Sequence, residues 1–415
     1  MQPLATALTT PAELFRTWDA HRRKNDWAAI EADAHRLPAD LSTEWLPAAD
    51  ALVFALGQLG EVDRAIRLAE AVWQIEPSHR RASSLAYLTY SALFMLAVPR
   101  RRPQPRADRE AYRQGFRRWI AEALMFDEGS IKDLYRLGVF EAQLESAHDK
   151  VALRAFRRAI DAYQSLDPEE RERRHDLRSY FVRALYAGAR SALRLGETKL
   201  ARGMAFGCIR EDERRDQVAP IFKLGLAAKV CLQTGELDHA ERAARKALDA
   251  KGPPRRDHLF GLLANVARQR GDLDAAVAWI EGKVRPEQRS AAMWRQLGDL
   301  RLVRGELDLA EAAFRTSLGR DRAGRHLTLV RIARLERSRG KLDRAAQACR
   351  EALSFRRKKY LSEDPAALAE LEQILRQKGD EPEARLVGDR LAKCKGRGFA
   401  DHEHGLPGAD VEEVA

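Results

Sequence analysis

A glycine-led phrase recurs seven times in this chain and restricts its fold more than any other feature. Each phrase starts with glycine and reaches alanine five residues later, as in Gly305-Glu306-Leu307-Asp308-Leu309-Ala310. The seven glycines are Gly60, Gly196, Gly235, Gly271, Gly305, Gly340 and Gly379. From Gly196 onward they stand 39, 36, 34, 35 and 39 residues apart. A near-constant period in this range indicates stacked supersecondary units.

The phrase has a direct physical interpretation as a turn between two helices. Glycine can adopt the left-handed conformation that ends a helix, and an acidic residue in the following turn is favoured by the next helix's dipole. The alanine is small enough for two helices to approach closely. Alanine, leucine, arginine and glutamate, all good helix formers, recur throughout, and alternating β-branched runs are absent. The sequence therefore predicts an all-α chain of helix–turn–helix units.

One unit, Ala291 to Gly324, shows further spacing that resembles a known family. It has the pattern W-x-x-L-G in its first helix and A-x-x-x-F in its second. The matching residues are Trp294, Leu297, Gly298, Ala310 and Phe314. These residues resemble the tetratricopeptide repeat family, and the resemblance implies an α-α superhelix, a solenoid of stacked helical hairpins. In a plausible N-terminal unit, Asn25 takes the place of the turn glycine and Trp27 follows it.

The regularity of the pattern divides the chain into five segments. Residues 1–98 hold N-terminal repeats of the same kind, and 99–127 a Pro/Arg-rich insertion with a linking helix. Residues 128–195 form irregular repeat-like helices, 196–395 the regular array, and 396–415 an acidic tail that we expect to be disordered. The tail's acids are Asp401, Glu403, Asp410, Glu412 and Glu413. Whether the array is continuous or hinged near residue 100 stays open at this stage.

The sequence contains no recognisable catalytic or cofactor motif. It has no phosphate loop, no H-E-x-x-H, no G-x-S-x-G and no C-x-x-C, and His402 and His404 in the tail make a weak metal pair. We expect a non-enzymatic protein with no cofactor and no metal. Three of the four cysteines are expected to be buried in helices, and Cys394, between two lysines, to be an exposed thiol.

The sequence informs localisation only through targeting and membrane-spanning segments that it lacks. We find no secretory signal, and the apolar segment from Ser83 to Val98 is too short to span a membrane, since spanning takes about 20 residues. A buried helix is the better interpretation of that segment. We expect a cytoplasmic protein with reduced cysteines.

Resemblance to the family implies that the first helices of successive units line a groove, which commonly receives extended peptides or helices. Carrying the repeat positions across gives eight candidate groove residues, although each could equally be an ordinary solvated side chain. They are Phe222, Lys229, His258, Asn265, Arg268, Arg295, Asp299 and Arg334. One subset of the family clamps a carboxylate with lysine, asparagine and arginine; Gly225, Leu262 and Ala292 leave that clamp incomplete here.

The charge of the chain suggests the chemistry of its partner. The formal net charge is +11 and the sequence pI about 9.6, a balance that favours acidic partners. We expect an interaction scaffold or adaptor whose groove binds an acidic or extended segment of another protein. The alternative is a basic helical-repeat protein that binds RNA or DNA, since repeats of about 35 residues also build RNA-reading arrays. The oligomeric state is not predicted.

Overall fold

The structure, a computed structural model, describes residues 10–94, 106–143, 148–212, 217–250, 256–360 and 362–396. These ranges contain α-helices and short 3-10 turns and no β-strand, which confirms the predicted all-α fold of helical hairpins. The predicted Pro/Arg stretch as far as Pro105, and the predicted tail from residue 397, lie outside the described residues. The division into five segments stays a prediction.

The helices run in this order: α1 (Pro11–Arg23), α2 (Trp27–Ala32), α3 (Leu46–Leu59), α4 (Val62–Ile75), α5 (His79–Phe94), α6 (Arg106–Phe126), α7 (Ile131–Gln143), α8 (Asp149–Gln164), α9 (Pro168–Arg173), α10 (His175–Arg194), α11 (Thr198–Glu211), α12 (Pro220–Gln233), α13 (Leu237–Asp249), α14 (Asp257–Gln269), α15 (Leu273–Glu281), α16 (Ala291–Val303), α17 (Leu307–Arg320), α18 (Arg325–Ser338), α19 (Leu342–Tyr360), α20 (Pro365–Lys378) and α21 (Glu381–Gly396).

Each glycine of the repeated phrase ends a helix in the left-handed conformation. All seven have φ between +74° and +84°, and Asn25, predicted to replace the glycine in the first unit, has φ +57°. The next residue's N–H then donates back across the turn, as from Glu306 to the Arg301 carbonyl oxygen at 2.9 Å. This bond satisfies a carbonyl that the helix end would otherwise leave open. The predicted turns are confirmed.

The described residues fall into two compact units. The first comprises residues 10–94, 106–140 and 161–168, and α3 packs on α4 and α5 on α6 within it. Its core is aromatic: Trp73 lies edge-on to Trp119, and Phe116 packs on Phe140. The apolar segment after Ser83 belongs to α5 as far as Phe94, and its side chains from Leu85 to Ala92 are mostly buried.

A fully buried carboxylate joins α5 to α7 in the first unit. Asp133 accepts hydrogen bonds from His79 Nε2 at 3.0 Å, Ser83 Oγ at 2.7 Å, Ser130 Oγ at 2.8 Å and Arg136 Nη1 at 3.2 Å. Each oxygen therefore has two donors, which offsets the cost of removing the charge from water. The network fixes how these two helices pack.

The second unit comprises residues 141–160 and the described part of 169–396. Six hairpins follow one another, from α10–α11 to α20–α21, and each first helix also contacts the first helix of the next hairpin. The alanines of the phrase lie in the first turn or two of the second helices, and each is almost completely buried. Gly298 leaves room for Phe314, whose ring occupies the space that a Cβ on residue 298 would fill. Small residues at fixed positions therefore set the stacking distance.

Burial corrects one expectation about cysteine. Cys208, Cys231 and Cys349 are buried as predicted, but Cys394 is buried too, at 8% exposed. It belongs to the apolar cluster of the last hairpin, together with Leu368 and Leu371 of α20. The flanking lysines misled the prediction because side-chain direction in a helix changes from residue to residue, so charged neighbours in sequence do not expose residue 394.

Candidate functional site

The first helices of the second unit repeat one burial pattern. Counting back from each turn glycine, residues 13, 10 and 6 positions earlier lie on one side of the helix, because these spacings are i, i+3 and i+7. Most of these side chains are half-buried, as are Arg183, Tyr186 and Arg190 of α10. We call this surface of α10, α12, α14, α16, α18 and α20 the first-helix wall. Seven of the eight predicted groove residues hold these positions, on α12, α14, α16 and α18, and the eighth, Arg268, follows Asn265 by three residues on the same side of α14.

Close contacts between neighbouring helices hold the wall together. At the α12–α14 boundary, a Cβ built on Gly225 would lie 3.2 Å from Leu259 Cδ2 and 3.6 Å from His258 Nε2. At the α14–α16 boundary, Gln296 Nε2 donates to the Gly261 carbonyl oxygen at 2.8 Å. Glycine at these two positions lets the neighbouring side chains lie directly against the helix backbone.

Ion pairs make the α16–α18 and α18–α20 boundaries. Arg331 Nε donates to Asp299 Oδ2 at 2.8 Å, which joins α18 to α16. Glu370 of α20 accepts from Arg334 Nε at 3.2 Å and from Arg337 Nε at 2.6 Å. Because Glu370 is buried, its charge must be matched, and the two arginines do so. The wall's cations in this region therefore bond to carboxylates of the wall itself.

Arg295 is also paired within the protein. It is 5% exposed, and its Nη1 donates to Asp321 Oδ2 at 2.8 Å. Burial is the main influence on this guanidinium and lowers the pKa of Arg295. Burial would raise the pKa of Asp321, but the hydrogen bonds from the Gly324 N–H and from Arg295 hold it below its usual value. Arg295 is therefore a buried, paired residue, whereas Arg268, another predicted groove residue, is exposed.

The other half of the wall has a different charge. Helices α10, α12 and α14 carry no carboxylate beyond their first turns, where Asp176 and Asp257 lie. The same helices place Arg183, Arg190, Lys229 and Arg268 on the wall surface. Within the described ranges, no acidic side chain bonds to Arg183 or Arg268. We call this half, from α10 to α14, the acid-free region.

Apolar and aromatic side chains accompany these cations. Tyr186 lies beside Arg190, whose Cζ is 5.7 Å from the ring centroid. Phe222 is half-buried and packs on the cluster around Ile221 and Leu259. Half-buried rings next to cations give a surface that can contact both apolar and acidic groups.

The α10 residues were missed in the sequence analysis, although a signal was present. Arg183, Tyr186 and Arg190 precede Gly196 by 13, 10 and 6 residues, the spacing that places Phe222, Gly225 and Lys229 before Gly235. The sequence before Gly196 is irregular, which concealed the same 13, 10 and 6 spacing there. Arg337, three residues before Gly340, was missed as well; it corresponds to Arg268 before Gly271.

A buried polar cluster lies where α18 and α20 begin. His326 is 5% exposed; Arg356 Nη1 lies 3.1 Å from its Nε2, and Asp364 Oδ2 lies 3.9 Å from the same atom. Phe355 stacks on the imidazole and Tyr360 meets it edge-on. Burial lowers the pKa of His326 to about 4, with Arg356 and Arg295 acting in the same direction and Asp364 opposing them. The imidazole is therefore neutral at pH 7.

The described residues were also compared with the requirements of a metal site and of a membrane-spanning helix. Within the described ranges, His, Cys, Asp and Glu side chains form no cluster that could hold a metal ion. None of the helices in the same ranges is both long and apolar enough to cross a bilayer. What the second unit offers is a surface of helices with segregated charge.

Comparisons with known proteins agree with this architecture. No protein-family model and no curated protein matches the chain. Among solved structures, a tetratricopeptide repeat protein from Parabacteroides merdae is similar at 15% identity, covering 69% of this chain and 99% of its own, with TM-score 0.51. The apo form of RapI is similar at 11% identity, covering 85% of this chain and 99% of its own, with TM-score 0.56. The chain therefore has the fold of a tetratricopeptide-like helical-repeat protein.

Proposed function

We propose that the chain is a non-enzymatic interaction scaffold whose first-helix wall binds an acidic, extended segment of a partner protein. The groove residues that contact the segment are Phe222, Lys229, His258, Asn265, Arg268, Asp299 and Arg334, joined by Arg183, Tyr186 and Arg190. Arg295 supports the wall through Asp321 without reaching the partner. Binding centres on the acid-free region.

The charge segregation of the wall is the observation that carries this proposal. From α16 to α20 the arginines bond to Asp299, Asp321 and Glu370, so a partner's carboxylate would compete with an existing pair there. From α10 to α14 the wall carries Arg183 and Arg268, to which no acidic side chain of the described residues bonds, and these helices have no carboxylate beyond their first turns. Complementary charge steers association and selects the partner, while the half-buried rings provide apolar contact area.

A binding assay with charge-reversed variants tests this assignment. The probe is a fluorescein-labelled 12-residue peptide of glutamate and alanine, compared with the same peptide in which glutamine replaces glutamate. Arg183→Glu combined with Arg268→Glu is expected to weaken binding of the acidic peptide at least tenfold in fluorescence anisotropy. The glutamine peptide should bind at least tenfold more weakly than the acidic one to the unaltered chain.

The matched control is Arg344→Glu combined with Arg385→Glu. Both arginines are exposed and lie on second helices, α19 and α21, so the net charge changes equally while the wall stays intact. Binding within twofold of the unaltered chain is expected. Equal weakening by both pairs would show attraction by net charge alone and would remove the assignment to the wall.

RNA or DNA binding is the competing function, and the same cations support it. Tyr186 and Phe222 could stack with bases beside Arg190 and Lys229. Single-stranded oligonucleotides of mixed and uniform sequence would then bind more tightly than the acidic peptide, with a steep salt dependence and a base preference. That result would replace the protein-binding proposal.

A further inference from the structure

We propose that the chain's own C-terminal tail occupies the acid-free region and competes there with the partner segment. The occupant is the distal acidic group Asp410, Glu412 and Glu413, and the surface is the part of the wall around Lys229 and Arg268. The competition rests on the proposed function of the wall, whereas occupancy by the tail can be observed without any partner.

Charge complementarity is the first argument. After Arg397 the sequence contains five carboxylate side chains and no lysine or arginine. Helices α12 and α14 supply the opposite pattern, with Lys229 and Arg268 on the wall and no acid beyond the first turn. A tethered segment meets such a surface at a high effective concentration, so even weak charge attraction yields substantial occupancy.

The end of α21 lies on the correct side of the hairpin. Arg390 Nη2 donates to both carboxylate oxygens of Glu363, at 2.9 and 3.0 Å, and Glu363 immediately precedes the residue that caps α20. Since α21 runs antiparallel to α20, its last described residue, Gly396, is near the start of α20. The tail therefore starts at the edge of the stack where the first helices begin, and reaching Lys229 and Arg268 adds about 15 Å along α12 and α14, at about 1.5 Å per residue.

Chain length decides which acids can reach the acid-free region. Adjacent packed helices are separated by about 8–10 Å, so α14 lies about 25–30 Å from α20 and α12 a further step away. An extended chain spans at most about 3.3–3.6 Å per residue, which gives about 25 Å from Gly396 to Glu403 but about 50 Å to Asp410. Asp410, Glu412 and Glu413 can reach α14 and α12, while Asp401 and Glu403 fall short.

The ion pairs already present on α16, α18 and α20 also favour binding of the distal acids, rather than the nearer ones, to the wall. Asp401 and Glu403 can reach α18 and α16, where Arg331 and Arg337 already bond to Asp299 and Glu370. Distal acids reach Arg268, which is exposed and has no acidic partner among the described residues. We therefore expect the distal acids to bind the acid-free region and Asp401 and Glu403 not to reach it.

Zero-length cross-linking of the full-length chain tests occupancy directly. A carbodiimide joins a carboxylate to an amine only where the two are in contact, so it reports ion pairs. A mixture of ¹⁵N-labelled and unlabelled chains, analysed by mass spectrometry, separates links within one chain from links between two. We expect Lys229 linked to the peptide containing Asp410, Glu412 and Glu413, within single chains, and at least fivefold less of it in 0.5 M NaCl.

Two full-length variants sharpen the test. Asp410→Asn/Glu412→Gln/Glu413→Gln is expected to abolish the Lys229 link and to tighten binding of the acidic peptide about fivefold or more. Asp401→Asn/Glu403→Gln, the control, is expected to leave both within twofold of the unaltered chain. Equal tightening by both variants would indicate a general charge effect and would overturn the reach argument.

Other outcomes separate this inference from the proposed function. If Lys229 links to the tail but the acidic peptide binds neither chain, the tail occupies the wall and the partner-binding proposal fails. If the peptide binds and the tail links evenly to exposed lysines such as Lys199 and Lys246, the tail proposal fails. Links between labelled and unlabelled chains only would make a second copy the occupant and would also overturn it.

Discussion

Arg339 donates from Nη2 to Oδ1 of Asp308 at 2.7 Å, although 31 residues separate them in the chain. Arg339 immediately precedes the turn glycine Gly340, and Asp308 lies three residues after the previous turn glycine, Gly305. The same two positions pair at three other turns of the regular array. These pairs are Arg270–Asp238, Arg304–Asp274 and Lys378–Asp343. A repeated ion pair therefore ties these four turns to the second helix of the preceding hairpin.

Removing one of these cations should cost little stability, and the cost should depend on burial. Arg339 is 14% exposed and also bonds to Glu311 and Glu336, so Arg339→Ala is expected to lower the free energy of unfolding by about 1 kcal/mol, the upper end for exposed pairs. Urea denaturation followed by circular dichroism measures this. Arg315→Ala, an exposed i,i+4 partner of Glu311, is the control and should change it by about 0.3 kcal/mol. Equal losses would contradict a role for the turn position.

Acid should weaken the same ion pairs. The Arg339 guanidinium holds the pKa of Glu311 below its usual 4.5, and the Arg270 guanidinium does the same for Glu241. A depressed folded-state pKa means stability that is present above about 4.5 and is lost as the pH falls further, because the unfolded state binds more protons there. Thermal unfolding between pH 5 and 3 should show the loss. Arg339→Ala should flatten this dependence, and an unchanged slope would exclude the Glu311 pair as a contributor.

His326 should give a separate pH effect at higher pH. Burial lowers its pKa to about 4 from 6.5, so the unfolded state binds the extra proton between these values and stability falls as the pH drops from 6.5 to 4. The melting temperature of His326→Gln should fall less between pH 7 and 5 than that of the unaltered chain. NMR titration of the imidazole supplies a direct check, and an apparent pKa near 6.5 would show that the group is accessible to water.

The turn glycines should be sensitive to substitution because of their backbone conformation. Nothing lies within 4 Å of a Cβ on Gly305, so space is not limiting, but its φ is +77°. Gly305→Ala should destabilise the chain by about 1–2 kcal/mol, the cost of a left-handed L-residue. Gly319→Ala, in α17 with equally open surroundings, is the control and should be neutral or stabilising by about 0.5–1 kcal/mol. A similar loss at both positions would point to some other cause.

Gly298 should also be sensitive to substitution, but because a side chain there has no space rather than because of its backbone conformation. A Cβ there would overlap the ring of Phe314, which is fully buried and cannot move freely. Gly298→Ala should lower the free energy of unfolding by about 1–3 kcal/mol, the usual range for overpacking. Gly207→Ala is the control, since its Cβ would meet Leu185 Cδ2 at an ordinary 3.6 Å. Urea denaturation of both variants measures their free energies of unfolding, and an equal loss in the two would contradict overpacking at Gly298.

Much of the site could be read from the sequence once the register was known. The turn positions give the first helices, and counting back from Gly235 or Gly271 gives the wall residues Lys229 and Asn265. The same count from Gly196 would have found Arg190. Such counting gives only the side of the helix on which each residue lies. Helical periodicity sets the direction of a side chain and does not determine its partner on another helix.

The sequence by itself determined the fold class and the position of each turn, because left-handed backbone and helix-to-helix spacing depend on single small residues such as Gly305 and Ala310. The tertiary structure decided which cations remain available. Arg334 meets Glu370 and Arg295 meets Asp321 only because helices far apart in the chain pack side by side. Charge pairing and burial depend on neighbours across the stack, and no local pattern encodes those neighbours.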